Sequence, residues 1–402
     1  MRKFQRPDFR RDDDGGAGTA LRAREALQRA VEVLGDRAEA VLVRTPMIDP
    51  RFPETSDLDL LAVGDVEDFF PERVSLGTES TALPKIDLIW LPLGQLEEVR
   101  RLAKLGLIGH RILSSDIVAD RTGLASRKHG ELRVAFFDPD LQAERIAGFL
   151  EMGFLTVQEI GVTWQFPALA LFWIHLAYAA CLAALVDGTK GLCPNVFTRP
   201  FDAVPRAEPA AGLALGNHMV ETLHLRGDVT SSAHRLRRMF EVVTASFPEP
   251  AWPAGMRQIT RYEYRYFSSR SELDWRIRAA GEMSRLGSPE SALFYLRFWA
   301  YSLARLPMVH QRALEGVDVS FVRPSRMVLP DLERLCPEII DDLALILGGD
   351  DAITDEDIRV SLDKLYTLRD HTLDFLAVCG LRFPELKAWA PYEAPRSLAT
   401  SH

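Results

Sequence analysis

Twenty consecutive residues, Pro167 to Val186 (PALALFWIHLAYAACLAALV), carry no formal charge. Such a run is long enough to cross the hydrocarbon of a bilayer, and it is equally suited to the centre of a protein that buries a helix on every side. No Lys/Arg cluster flanks it to set a membrane orientation, and His175 sits at its middle. The expectation is a buried central helix in a protein that does not engage a membrane.

The rest of the composition supports that choice. The chain has 402 residues, of which 47% are hydrophobic and 26% charged. That is ordinary globular usage, and the length suits two domains, or three. The net charge of −9 and isoelectric point near 5.6 exclude a surface that tracks a nucleic-acid backbone along its whole extent. Four cysteines at 181, 193, 336 and 379 form no CxxC pair, so neither a disulfide scaffold nor a structural zinc site is expected. The first residues (MRKFQRPDFRRDDDGGAGTA) contain no apolar signal-peptide core, which points to a reduced, cytoplasmic setting.

Periodicity divides the chain. Residues 1–19 read as a flexible arm and 20–34 as an amphipathic helix that Gly35 ends. Residues 38–43, 58–64 and 85–91 read as strands, 94–108 as helical, and 112–120 as a fourth strand and loop. From about 140 onward helical runs dominate: 140–160, 164–187, 210–225, 232–246, 271–286, 289–305, 331–347 and 355–379, with Pro/Gly punctuation between them. The expected fold class is α+β. A mixed sheet with flanking helices over 20–135 precedes an all-helical domain over 136–395.

The segment Ser56-Asp57-Leu58-Asp59-Leu60 carries the chemistry. On a strand, Asp57 and Asp59 point to one face. Two carboxylates held that close repel unless a cation lies between them, and magnesium takes such hard oxygen ligands together with substrate phosphates. Asp87 lies in KIDLIWL, where Ile86 and Leu88 face the core and leave Asp87 on the opposite side. Three carboxylates on neighbouring strands suit two-cation chemistry at phosphorus. The bland reading makes the same residues a loop acid and two strand-edge acids.

The SDLDL core, the apolar strand before it and the third acid in KIDLIWL resemble the DNA polymerase β-type nucleotidyltransferase superfamily. The likeness runs over roughly 20–125, includes ILSSDIVADRTG, and is closest to the small-molecule, aminoglycoside-like branch. It implies a nucleotidyltransferase-type sheet and transfer of a nucleoside monophosphate, AMP from ATP, to a small-molecule hydroxyl with release of pyrophosphate. It implies Mg²⁺ or Mn²⁺ held by Asp57, Asp59 and Asp87, the last also accepting the hydroxyl's proton. The family's phosphate-cradling Gly-Ser pair is absent. Val43-Arg44-Thr45-Pro46 stands in its place, so Arg44, Thr45, Ser56 and Arg51 are the phosphate-binding candidates. The alternatives are transfer to RNA or protein, and an inactive nucleotide-binding relative. The base and the acceptor are not encoded in any motif, and a homodimer stays open.

Two further features have functional and bland readings. Arg257, Arg261 and Arg265 share a helical face with Tyr262, Tyr264, Tyr266 and Phe267 interleaved, within an arginine-rich stretch reaching Arg285. Arg235, Arg237 and Arg238 would join them. This is either an electropositive groove or, the favoured reading, a solvated face paired with Glu263, Glu272 and Asp274. His175 and Tyr178 either line an acceptor pocket or are satisfied core residues, and the second reading is favoured. Gly191–Asp202 reads as a polar turn, a packing loop or a pocket rim.

Overall fold

A computed structural model of the chain describes residues 16–44, 58–67, 69–73, 86–163, 166–318, 328–349 and 353–383. It is α+β, with a five-stranded mixed sheet near the N-terminus and a helical C-terminal region. Two compact units divide between Arg145 and Ile146.

The first unit opens with α1 (Gly16–Leu34), followed by β1 (Ala40–Arg44), β2 (Leu58–Gly64), β3 (Phe70–Arg73) and β4 (Ile86–Pro92). Three short helices follow, α2 (Leu93–Glu97), α3 (Val99–Lys104) and α4 (Gly106–Leu113), then β5 (Ser115–Asp120) and α5 (Leu124–Phe136). The strand order is β3-β4-β2-β1-β5. Among the described residues the β2–β4 pairing is parallel and the other three are antiparallel. Ala26, Leu27, Ala30 and Leu34 of α1 share a core with Val41, Val43, Leu58, Leu60, Ala62, Ile86, Leu88 and Trp90. That set alternates along each strand, as a face packed on a helix requires. The alternate residues Leu42, Leu61, Val63 and Leu91 are buried too, with α2 against β2 and β4 on the way and α4 and α5 against β5.

Several boundaries differ from the sequence expectation, each for a local reason. The first helix starts at Gly16 rather than residue 20. The 94–108 stretch breaks at Glu98 and Leu105, whose ψ values of 58° and 87° leave the helical range. Helix α4 continues through Leu113, so β5 starts at Ser115 rather than 112. β3 was not expected because it is four residues long and contains Pro71. A proline is tolerated there because β3 is an edge strand, where one face of the ladder needs no donor. The unit boundary lies beyond the expected 135/136 because the start of the next helix is fastened to the first unit. Arg145 donates to the Ala103 carbonyl at 2.7 Å and stands over the Phe136 ring at 3.5 Å, and Lys104 pairs with Glu144 at 2.6 Å.

That helix is α6 (Pro139–Thr163), and the second unit continues with α7 (Pro167–Gly188), α8 (Val204–Ala211), α9 (Leu215–Thr222), α10 (Val229–Ser246), α11 (Gln258–Phe267) and α12 (Arg270–Arg285). It closes with α13 (Pro289–Ala304), α14 (Leu306–Leu314), α15 (Val328–Leu335), α16 (Ile340–Gly348) and α17 (Asp355–Val378). The uncharged run is α7, and 94% of its most apolar window is buried inside the protein. Helices α8, α16 and α17 pack around it. Each fully buried large apolar side chain contributes about 1.5–3 kcal/mol, so α7 anchors this core. The expected 210–225 helix is split at Gly212, whose φ of 61° ends α8 in the left-handed region. Asp228 caps α10 by accepting from the Ser231 amide at 2.7 Å, and Thr354 with Asp357 forms a reciprocal cap on α17.

Candidate active site

The sheet assembles one transverse row of polar positions. Parallel pairing sets Asp59 of β2 opposite Asp87 of β4, so both carboxylates leave the same face, about 4.8 Å apart at the backbone. Antiparallel pairing sets Val43 opposite Leu60 and Arg44 opposite Ser115, which brings Arg44 beside Asp59. On the other side Arg73 of β3 is in register with Asp87. The row therefore reads Arg73, Asp87, Asp59, Arg44, Ser115 across all five strands. It lies where β1 and β3 end and β2, β4 and β5 begin, the edge at which segments 45–57 and 74–85 join the sheet. Ile86 and Leu88 occupy the opposite, α1-facing core, as the alternation in KIDLIWL implies.

Asp59 is held by two guanidiniums. Arg44 Nη1 lies 3.3 Å from its Oδ2, with only 10% of the arginine side chain and 14% of the aspartate exposed. Arg111 Nη2 lies 3.4 Å from Oδ1. Arg111 belongs to the last turn of α4, and its own carbonyl accepts from the Ser115 hydroxyl at 2.7 Å. That bond fixes the end of α4 to the first residue of β5, the strand beside Arg44. Two cations on one carboxylate relieve the repulsion between in-register acids. They also place two phosphate-seeking forks at the site.

Of the residues expected from the sequence, the structure brings together Asp59, Asp87 and Arg44. Asp57, Thr45, Arg51 and Ser56 lie outside the described residues. Arg111 was not expected. Its only sequence signal is a basic residue just ahead of an apolar strand, and its reach to Asp59 depends on where α4 stops.

The donor set suits a hard divalent cation, since Asp59 and Asp87 offer carboxylate oxygens on adjacent rigid strands. Among the described residues no three His, Cys, Asp or Glu side chains converge as a metal group; the third acid of the sequence motif, Asp57, is not among those residues. A cation at Asp59 would compete with both guanidiniums.

The other candidate residues resolve on the bland side. His175 is fully buried, stacked on Phe294 at 5.2 Å and 3.2 Å through Nε2 from the Leu223 carbonyl. Burial, and secondarily the nearby Arg297, holds its pKa well below the usual histidine value. Tyr178 is buried and bonded to His218 Nδ1 at 2.9 Å. Both are core residues. Cys193 and Val196 of the 191–202 turn join the helical core, so it is a packing loop.

The arginine-rich stretch is neutralised within its own unit. Arg257 pairs with Asp318, and Arg265 with Glu249 at 2.7 Å. Arg261 donates to the Pro253 carbonyl at 3.3 Å. Arg238 bonds Asp342 at 2.6 Å, and Arg235 reaches the same carboxylate at 3.5 Å. Asp274 serves Arg270 at 3.3 Å and Arg237 at 3.8 Å. Arg276 bonds the Tyr295 hydroxyl at 2.9 Å and lies 3.8 Å from Glu272.

No protein-family model and no curated protein matches this chain.

Proposed function

We propose that the protein is a divalent-cation-dependent nucleotidyltransferase of the polymerase β type, moving AMP from ATP to the hydroxyl of a small molecule. The observation that supports it best is the in-register pair Asp59 and Asp87 on adjacent parallel strands, with the Arg44 guanidinium beside it.

In this reading Asp59 and Asp87, with Asp57, hold Mg²⁺ or Mn²⁺, which would supply charge stabilisation for the oxygens around phosphorus. Arg44 contacts the donor's phosphates, with Thr45, Ser56 and Arg51 as further contacts. Asp87 accepts the proton of the acceptor hydroxyl. That oxygen bonds to the α-phosphorus, the bond to the bridging oxygen breaks, and pyrophosphate leaves. The N-terminal sheet then belongs to the nucleotidyltransferase type, and the setting is cytoplasmic.

One observation favours a second reading, a nucleotide-binding relative without transfer. Both oxygens of Asp59 already face guanidiniums. Transfer to RNA or protein would draw on the arginine-rich stretch, whose side chains pair along its length with acids and carbonyls of the same unit.

Incubation with each of four α-labelled nucleoside triphosphates, Mg²⁺ or Mn²⁺ and a small-molecule fraction of cell extract tests the proposal. Label should enter the small fraction, and Asp59→Asn or Asp87→Asn should lower that rate by about 10³-fold, which is ~4 kcal/mol of barrier. No label from any nucleotide, or full rates in both variants, would sink the transfer reading. Nucleotide binding that persists in both variants without transfer would support the second.

A further inference from the structure

We propose that α9 and the turn after it, residues 215–228, form an acid-released latch: His175, His218 and His224 stand at its contacts with α7, α13 and α17, each beside another cation, and proton uptake on them frees this segment while the rest of the helical unit stays folded.

The contacts need unprotonated rings. At the middle of α9, His218 Nδ1 lies 2.9 Å from the Tyr178 hydroxyl of α7. Tyr178 is fully buried, and burial pushes its pKa up, so the phenol keeps its proton and donates it to Nδ1. A protonated His218 has no lone pair there. The phenol must then accept, and its own O–H is left buried without an acceptor. At the end of α9, Arg297 Nη1 lies 3.0 Å from His175 Nε2 and 2.6 Å from the Leu223 carbonyl. A guanidinium only donates, so its contact with His175 needs the lone pair on Nε2. Protonation there sets two buried cations 3.0 Å apart around one carbonyl. His224, next in the chain, gives its carbonyl to Arg297 Nη2 at 2.7 Å and holds a φ of 45°, which a residue with a side chain adopts under strain. The turn sits so close to the end of α16 that a Cβ on Gly349 would come within 2.5 Å of the Arg226 carbonyl oxygen.

The charges around the three rings are lopsided. His175 faces Arg297 and His224. His218 faces Lys364 and His371 of α17, with Glu221 on its own helix. His224 faces Arg297, Arg226 and Lys364, against Asp357 of α17. Helix α8 packs on α9 and α16 packs on α7, and among the described residues neither brings a charge that acts on these rings. A hydrogen bond from Lys364 holds Glu221 below the usual carboxylate range, and the Thr354 cap does the same for Asp357. Both acids stay ionised at pH 5.5, so the change between pH 7 and 5.5 belongs to the histidines. Burial first, and then the neighbouring cations, lowers all three below 6.5 in the closed latch. Freed, they return to that value. Release is therefore favoured as pH falls below 6.5, by up to about tenfold per pH unit for each histidine.

Hydrogen exchange read by mass spectrometry on the full chain tests this, with labelling times scaled to the intrinsic exchange rate at pH 7 and pH 5.5. Corrected protection over 215–228 should fall by about twentyfold or more, beyond the roughly eightfold that one histidine supplies over that interval, while α7 and α13 keep theirs. His218→Gln retains an acceptor for Tyr178, and His224→Asn suits the left-handed turn. The double variant should match the unaltered chain at pH 7 and lose less than about tenfold at pH 5.5, the share of His175. His218→Gln alone serves if the pair does not fold, and should shrink the acid loss by about twofold or more. A fall of less than about twentyfold in the unaltered chain overturns the proposal. So does an equal loss in α7 and α13, which would be global unfolding, or an undiminished loss in the variants.

Discussion

The sheet unit and the helical unit each withdraw arginine from water, and they hold it differently. In the sheet, Arg44 and Arg111 share one carboxylate at 3.3 and 3.4 Å. In the helical unit Arg297, 1% exposed, meets no carboxylate among the described residues. It donates instead to the carbonyls of Leu223 at 2.6 Å, His224 at 2.7 Å and Ile346 at 3.2 Å. Those carbonyls belong to the C-terminal ends of α9 and α16, where aligned peptide dipoles leave partial negative charge. His224 sits just past α9 with φ of 45°, a left-handed turn usually given to glycine. The Leu225 amide closes that turn on Val220 at 3.1 Å. Backbone carbonyls cannot leave with a ligand, so Arg297 is fixed. In the sheet unit the acceptor is instead a side chain, Asp59, contacted by guanidiniums from β1 and α4. Burial still presses on Arg297, lowering its pKa to about 9.

The comparison breaks most visibly by truncating the fixed arginine. Arg297→Met keeps much of the apolar stem but removes the guanidinium from three buried carbonyls, of which His224 keeps the Arg226 amide at 2.7 Å and Leu223 keeps His175 Nε2 at 3.2 Å. A carbonyl left with no donor costs on the order of 1–3 kcal/mol, and the two that keep one bring the sum to about 2–4 kcal/mol. Urea denaturation followed by circular dichroism measures it. A loss under ~1 kcal/mol would mean that water replaces the guanidinium and that the site is not locked.

Acid should strain the same place next. Burial first and Arg297 second hold the folded His175 pKa far below its unfolded value of 6.5. Between those two pKa values the unfolded chain binds the proton and the folded chain does not, so stability falls as pH drops below 6.5. The slope contributed by one such histidine approaches ~1.4 kcal/mol per pH unit. Half-buried His224 and His218, also lowered chiefly by burial, add to it. His175→Phe preserves a ring on Phe294 and should flatten the fall between pH 6.5 and 5 by about 1–2 kcal/mol. Denaturation series at both pH values test this, and parallel slopes in the two proteins would remove His175 from the account.

The sequence made some of this legible and hid the rest, for physical reasons. Alternation alone puts Asp59 and Asp87 opposite their apolar neighbours, because a strand has a period of two. Absence of charge alone makes α7 the core helix. The register that places Asp59 between Asp87 and Arg44 depends on strand order, which local patterns do not carry. Arg111 was illegible because its contact depends on α4 ending at Leu113 and on Ser115 fastening that end. Arg297 left a readable trace, one charge inside the otherwise apolar LFYLRFWAYSLA of α13. The trace marks a buried polar group, but what satisfies it lies 49 and 73 or 74 residues away in sequence.

The smallest effect is expected where the partly exposed Arg111 is removed. Arg111→Ala deletes a partly exposed partner that sits 3.4 Å from a carboxylate already facing Arg44. Pairs of this kind are typically worth less than about 1 kcal/mol, and removing this one also relieves crowding of like charge between the two guanidiniums. The carbonyl that fastens α4 to Ser115 is backbone and survives the substitution. Stability should therefore change by no more than about 0.5 kcal/mol in urea denaturation, against several for Arg297→Met. A loss above ~2 kcal/mol would show that Arg111 is as fixed as Arg297. The contrast between the two units would then close.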